Sequence, residues 1–321
     1  MKQKIKRAVE NAGGITIGEA WEEFINEKLA CNITKYTYVN YTNTYKELFP
    51  DENIPASTVE QSDWYRWINH YKARGVKDTT IIAYMRFIKV FMLWCMDIDR
   101  NYIKPFKMPN IRTQEETMRL FTDEELDALL IKPRRGDTFV VWRTYAIVNW
   151  ILGTGNRAGT VVDVRVSDIN FARKEIVLRH TKNKKAQIIP LSSSLSTVIK
   201  EYIRMWRADS GIDAYLFPSI GDEKLTVTAL YRAFVDYATK RGCTNHTIHG
   251  LRHNFAKGWV KNNGNMFVLQ KILGHSTLDM TKRYVKLFSD DIKEDYDKFS
   301  PLDTIKRNSS RTQRINREED F

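Results

Sequence analysis

Only three cysteines occur in the 321-residue chain, Cys31, Cys95 and Cys243. They lie far apart and without metal-ligand spacing, which argues against a disulfide framework or a zinc site and fits a reducing compartment. The chain also lacks a membrane-length apolar run. Its most apolar stretch, "IIAYMRFIKVFMLWCM", carries Arg86 and Lys89 and is shorter than the roughly 20 residues a spanning helix needs. The opening "MKQKIKRAVENAGG" is basic but has no apolar segment of the secretory kind. No internal repeat is present. Acidic residues are short relative to basic ones, 39 against 51, for a net charge of +12 spread along the chain. Together these features predict a soluble, cytoplasmic protein with no membrane, metal or cofactor partner. The excess of base points to a polyanionic partner, of which nucleic acid is the commonest. The plain alternative is a charge that serves solubility alone.

The length allows two domains, and the pattern changes near residue 110. Residues 1–110 read as helical throughout. Thr16 and Glu19 form a capping box ahead of Trp21, Phe24, Ile25 and Leu29, which repeat at helical spacing. A second helix runs through "TKYTYVNYTNTYKELF" to Pro50, and a third is opened by Asp63 and closed by Gly75. Asp78 caps a fourth, with Ile81, Ile82, Met85, Ile88, Met92 and Cys95 as its apolar stripe. Lys72, Arg74, Lys77, Arg86 and Lys89 lie among the aromatics, a composition suited to gripping a DNA backbone. A helical bundle with a solvated basic face has the same composition.

A proline-bearing linker precedes the second domain, 111–300. There Thr122 and Glu125 cap a short helix, and "TFVVWRTYAIVNWILGTG" is apolar almost all round, as a buried central helix would be. "KEIVLRH" and "AQIIPL" flank a polar turn and predict a hairpin. The remainder reads as helical to about residue 298, and 301–321 as a flexible polar tail. The fold class expected is therefore mainly α with a small β-hairpin or sheet.

The residues that carry chemistry lie in this second half. "GTGNR" sets Arg157 just past the buried helix, and "TKNKK" puts Lys182 at the hairpin tip. "HGLRH" spaces His249 and Arg252 at i and i+3, on one helix face. "LGHS" supplies His275, and Tyr284 follows. Singly, each has a dull explanation: a surface arginine, a solvated lysine, a packed histidine. In this order they resemble the tyrosine recombinases, also called phage integrases. The likeness spans roughly residues 118–300, with the helical half matching the family's core-binding domain more loosely. It rests on "ILGTGNRAGTVVDVRVSDINF", "TKNKKAQIIPL" and "IHGLRHNFAKGWVKNNGNMFVLQKILGHSTLDMTKRYVKL".

The resemblance implies a core-binding domain and a catalytic-type domain closing on double-stranded DNA as a C-shaped clamp, with homo-oligomers forming on DNA. It also implies roles. Tyr284 attacks a phosphodiester to form a 3′-phosphotyrosyl bond, which keeps the linkage energy so that resealing needs neither ATP nor metal. Arg157 and Arg252 hold the nonbridging oxygens by charge-assisted hydrogen bonds, and His275 donates a further bond to them. His249 accepts the tyrosine proton, and Lys182 protonates the leaving 5′ oxygen. His246 and His253 have no part in the pattern and are expected to be structural.

Two positions depart from the family. The acidic residue usual three places after the first arginine is Thr160, and Gly159 beside it weakens the local helix by about 1 kcal/mol relative to Ala. Displacement of Arg157 would harm cleavage far more than binding. The whole chain also resembles the recombinase-like lysis repressors of large Bacillus prophages, a likeness carried by no single motif. It implies a transcriptional repressor that binds specific DNA without cutting. An RNA-binding or DNA-coating protein would fit the charge but leaves "HGLRH" and "LGHS" unexplained.

Overall fold

The computed structural model describes residues 14–111, 118–179 and 186–275, together with 277, 278, 281, 282 and 284. Lys182 and the 301–321 tail lie outside the described residues. The chain divides into two compact units, Met1–Glu116 and Thr117–Phe321.

The first unit is built on four helices: α1 (Ile17–Ala30), α2 (Lys35–Leu48), α3 (Gln61–Ala73) and α4 (Asp78–Cys95). At Thr16 the side chain accepts from the Glu19 amide while the Glu19 carboxylate accepts from the Thr16 amide, which completes the expected capping box. Two helix starts differ from expectation. Asp63 sits inside α3, where it completes a capping box with Glu60, and Lys77 occupies the N-cap of α4 with Asp78 as the first helical residue. Both carboxylates remain in the first turn, where the helix dipole favours them. The core is aromatic: Trp21 stacks on Tyr45 at 4.0 Å, and Phe91 meets Trp21 edge-on at 5.2 Å. Ile82 of the expected stripe is only half-buried, while Phe91 and Trp94 join the core.

The second unit contains α5 (Asp123–Leu130), α6 (Phe139–Thr154), α7 (Ala158–Val161), α8 (Ser193–Trp206), α9 (Val227–Thr239), α10 (Ile248–Lys261) and α11 (Met266–Leu273). The capping box of Thr122 and Glu125 opens α5. Helix α6 is the apolar central helix, with Trp142, Ala146, Ile147, Val148, Trp150 and Ile151 buried, and it packs against α5, α8, α9 and α10. The hairpin strands β2 (Glu175–Leu178) and β3 (Gln187–Pro190) pair in antiparallel register, Ile176 opposite Ile189. A strand not expected from the pattern, β1 (Ile169–Asn170), adds to the edge of β2 and completes a three-stranded sheet. Among the described residues no helix is long and apolar enough to cross a membrane.

Candidate active site

The residues singled out by their chemistry come from four separate places in the second unit. Helix α6 ends at Gly155, whose φ of +65° is a left-handed conformation that glycine adopts without strain. A Cβ there would lie 2.5 Å from Phe255 and 2.7 Å from Leu273. The following loop is pinned by Trp150 Nε1, which donates to Asn156 Oδ1 at 3.0 Å. Arg157 then stands at the N-cap of α7 with an extended backbone, half-buried. Helix α10 is anchored by Asn254, whose side chain donates to the Phe121 carbonyl and accepts from the Phe121 amide, both at 2.9 Å.

These elements meet at the C-terminal end of α11, where Gly274 turns the chain at φ +61°. Arg157 donates to the Leu273 carbonyl at 3.3 Å. Arg252 donates to the same oxygen at 3.0 Å and to the Gly155 carbonyl at 2.6 Å. The carbonyls of Lys271 and Ile272 accept from Gln187 Nε2, the latter at 3.1 Å, which ties β3 to the same turn. The last carbonyls of α11, which lack helical partners of their own or share one with the Gly274 amide, thus receive the side chains of Arg157, Arg252 and Gln187.

Arg252 is only 2% exposed. Burial, followed by the Arg157 charge, lowers its pKa to about 10, and burial lowers that of Arg157. The described partners of the two guanidiniums are carbonyls, an imidazole nitrogen and the Tyr284 hydroxyl; no described carboxylate faces them. Positive charge that is buried without a counter-charge is costly, so the pocket is primed for an anion.

His275 Nε2 lies 2.8 Å from Arg252, and its Nδ1 lies 2.9 Å from Thr281 Oγ1. A guanidinium has only donors, so Nε2 accepts and the ring proton sits on Nδ1, facing Thr281. Burial, then Arg252 and Arg157, holds the His275 pKa at about 4. Tyr284, 3% exposed, places its hydroxyl 2.8 Å from His253 Nδ1, with its ring parallel to that of His275. His249 meets His253 edge-on at 4.6 Å between ring centroids. The protein packed around His249, then Arg252 and Arg157, lowers its pKa. Among the described residues no group of three or more His, Cys, Asp or Glu side chains is arranged to hold a metal ion.

Residues 119–290 match the model of the phage integrase family, which is more than half of the chain. The chain belongs to the phage integrase family. Tyrosine recombinase XerA of Pyrococcus furiosus is 29% identical over 295 residues, covering 89% of this chain and 96% of that protein. Tyrosine recombinase XerC of Staphylococcus aureus is 22% identical, with 86% and 94% covered. The fold is shared with the integrase of transposon Tn1549, solved with circular intermediate DNA (TM-score 0.70, 20% identity, 84% and 95% covered). It is also shared with a lambda integrase dimer bound to a core site (TM-score 0.67, 16% identity, 84% and 95% covered). The likeness to prophage lysis repressors finds no support among these relatives.

Of the six residues picked from the sequence of this integrase-family chain, five lie together: Arg157, His249, Arg252, His275 and Tyr284. Lys182 is outside the described residues. Two contacts differ from the roles expected. The imidazole nitrogen within hydrogen-bond distance of the Tyr284 hydroxyl belongs to His253, expected to be structural, and His275 Nε2 is taken by Arg252. The i, i+4 spacing of His249 and His253 was a signal for the first. Nothing local marks Gln187, since its contact with α11 crosses 84 and 85 positions of sequence.

Proposed function

We propose that this protein is a site-specific recombinase of the cytoplasm that cuts and rejoins double-stranded DNA through a 3′-phosphotyrosyl intermediate. One observation carries the reading: Arg157 and Arg252 converge on the Leu273 carbonyl beside a buried tyrosine hydroxyl, with no described carboxylate to neutralise them. Such a pocket suits a phosphodiester. The Tyr284 oxygen attacks phosphorus, the bond to the 5′ oxygen breaks, and the guanidiniums take up the charge that grows on the nonbridging oxygens. The tyrosine proton passes to the imidazole pair of α10. Lys182, from the hairpin turn, gives the leaving 5′ oxygen its proton. His275 holds Arg252 in place before DNA arrives and offers the phosphate a further contact once Arg252 turns to it.

The first unit, through Lys72, Arg74, Lys77, Arg86 and Lys89, serves as the second grip on the duplex. Exchange between two duplexes requires more than one cut, so protomers act as a homo-oligomer on DNA, and the lambda integrase relative was solved as a dimer on its core site. The case for occupancy without cleavage rests on Thr160 and Gly159. Gly159 has open space around it, and the Thr160 amide donates to the Arg157 main-chain carbonyl at 2.9 Å, while the Arg157 guanidinium is held separately on the Leu273 carbonyl. Mapping the bound DNA across the host genome tests the reading. One attachment-like site that recombines with a partner site is expected. Many promoter-proximal repeats and no recombinant product would contradict it.

A further inference from the structure

The structure assigns the tyrosine proton to a residue outside the six: we propose that His253 Nδ1 is the proton acceptor for the Tyr284 hydroxyl. This rests on the recombinase reading above. His253 is one residue beyond Arg252 and one helical turn beyond His249. Its Nδ1 is 2.8 Å from Tyr284 Oη, within the range a general base must reach. His249 meets the edge of the His253 ring and sits in the field of Arg157 and Arg252, which is the phosphate side of the pocket. The two histidines therefore divide the work along one face of α10. His249 faces the phosphate with the arginines, and His253 faces the nucleophile.

The described residues that face His253 include His249 on its own helix and Tyr284 and His275 on the chain beyond α11. For Nδ1 to accept, the resting ring proton lies on Nε2 and the tyrosine donates. In the forward step the Oη–H proton moves to Nδ1, the Oη–phosphorus bond forms, and the bond to the 5′ oxygen breaks as that oxygen takes a proton from Lys182. Resealing runs the same transfers in reverse, with the 5′ hydroxyl as nucleophile and the imidazolium returning its proton to Tyr284.

The test uses the full chain and a nicked suicide duplex of its cognate site, with the covalent adduct read on a denaturing gel. His253→Asn keeps a polar atom near the Nδ1 position but has no basic nitrogen, whereas His253→Phe removes both. Both should slow adduct formation by roughly a hundredfold or more, the usual scale of general-base loss, while DNA affinity stays within about threefold, as for a change away from the phosphates. A 5′-phosphorothiolate substrate, whose leaving thiolate needs no proton, should restore Lys182→Ala and leave both His253 variants slow. Adduct formation by His253→Asn near the wild-type rate, or its rescue by the phosphorothiolate, would overturn the assignment. A wild type that forms no adduct would bring down the recombinase reading and this proposal with it. A wild type that forms it equally with either variant brings down the proposal alone.

Discussion

Arg157 and Arg252 donate to one and the same oxygen, the carbonyl of Leu273, at 3.3 and 3.0 Å. Two like charges are held together by a neutral group at the end of a helix, and each lowers the pKa of its surroundings. The arrangement stores an affinity for anions that a phosphate can satisfy. Arg252→Ala should therefore weaken binding of cognate DNA by about ten- to a hundredfold, since a hydrogen bond to a charged group contributes roughly 1.5–3 kcal/mol. Arg252→Lys should recover part of it as a point charge without the bidentate fork. Titration of labelled duplex checks both, and unchanged affinity in Arg252→Ala would place the pocket off the DNA.

Two glycines flanking Arg157 should respond in opposite directions. Gly155→Ala puts a methyl group against Phe255 and Leu273 at a left-handed φ, and about 2–4 kcal/mol of stability should be lost to strain and overpacking. Gly159 has open space around its Cβ position and lies within α7. Gly159→Ala should raise stability by up to about 1 kcal/mol by favouring the helix. Urea midpoints at constant slope would measure the pair.

The low pKa of His275 has a defined consequence for acid stability. The unfolded chain takes up a proton near the ordinary value of 6.5, whereas the folded chain resists it until about 4. Below 6.5 the unfolded state therefore binds more protons, and stability falls as pH drops through this window. His249, also lowered, acts in the same direction. Denaturant titrations over the window should show a shallower fall in His275→Gln than in the wild type. Equal slopes would mean that His275 titrates normally.

Binding should depend steeply on salt, because each neutralised phosphate contributes about −0.9 to the slope of log affinity against log salt. Separate units divided at the Glu116–Thr117 boundary should each bind far more weakly than the whole chain, with shallower slopes. A flat salt dependence in the full chain would remove the DNA-backbone grip.

Much of the helical framework was legible locally. Thr16 with Glu19 and Thr122 with Glu125 announced helix starts because a capping box is complete within four residues. The apolar run of α6 announced burial because no face of it is polar enough for water. Asp63 and Asp78 misled by one to three positions, since a first-turn acid and a cap look alike in sequence. Strand β1 is two residues long and is defined by its pairing with β2. The candidate residues were legible as a set, but their hydrogen bonds were not. The Leu273 carbonyl, the pairing of Gln187 with α11 and the reach of His253 to Tyr284 depend on how α7, α10, α11 and the sheet pack.

The most direct measurement traps the covalent intermediate. Wild-type protein incubated with a nicked suicide duplex of its bound site should form a protein–DNA adduct that survives denaturation and is lost on digestion to a phosphotyrosyl peptide containing Tyr284. Tyr284→Phe should form none while binding the duplex nearly as well, because one lost hydrogen bond is worth only about 0.5–1.5 kcal/mol. A wild type that binds the duplex tightly and never forms the adduct, or a Tyr284→Phe variant that forms it as readily, would contradict the account.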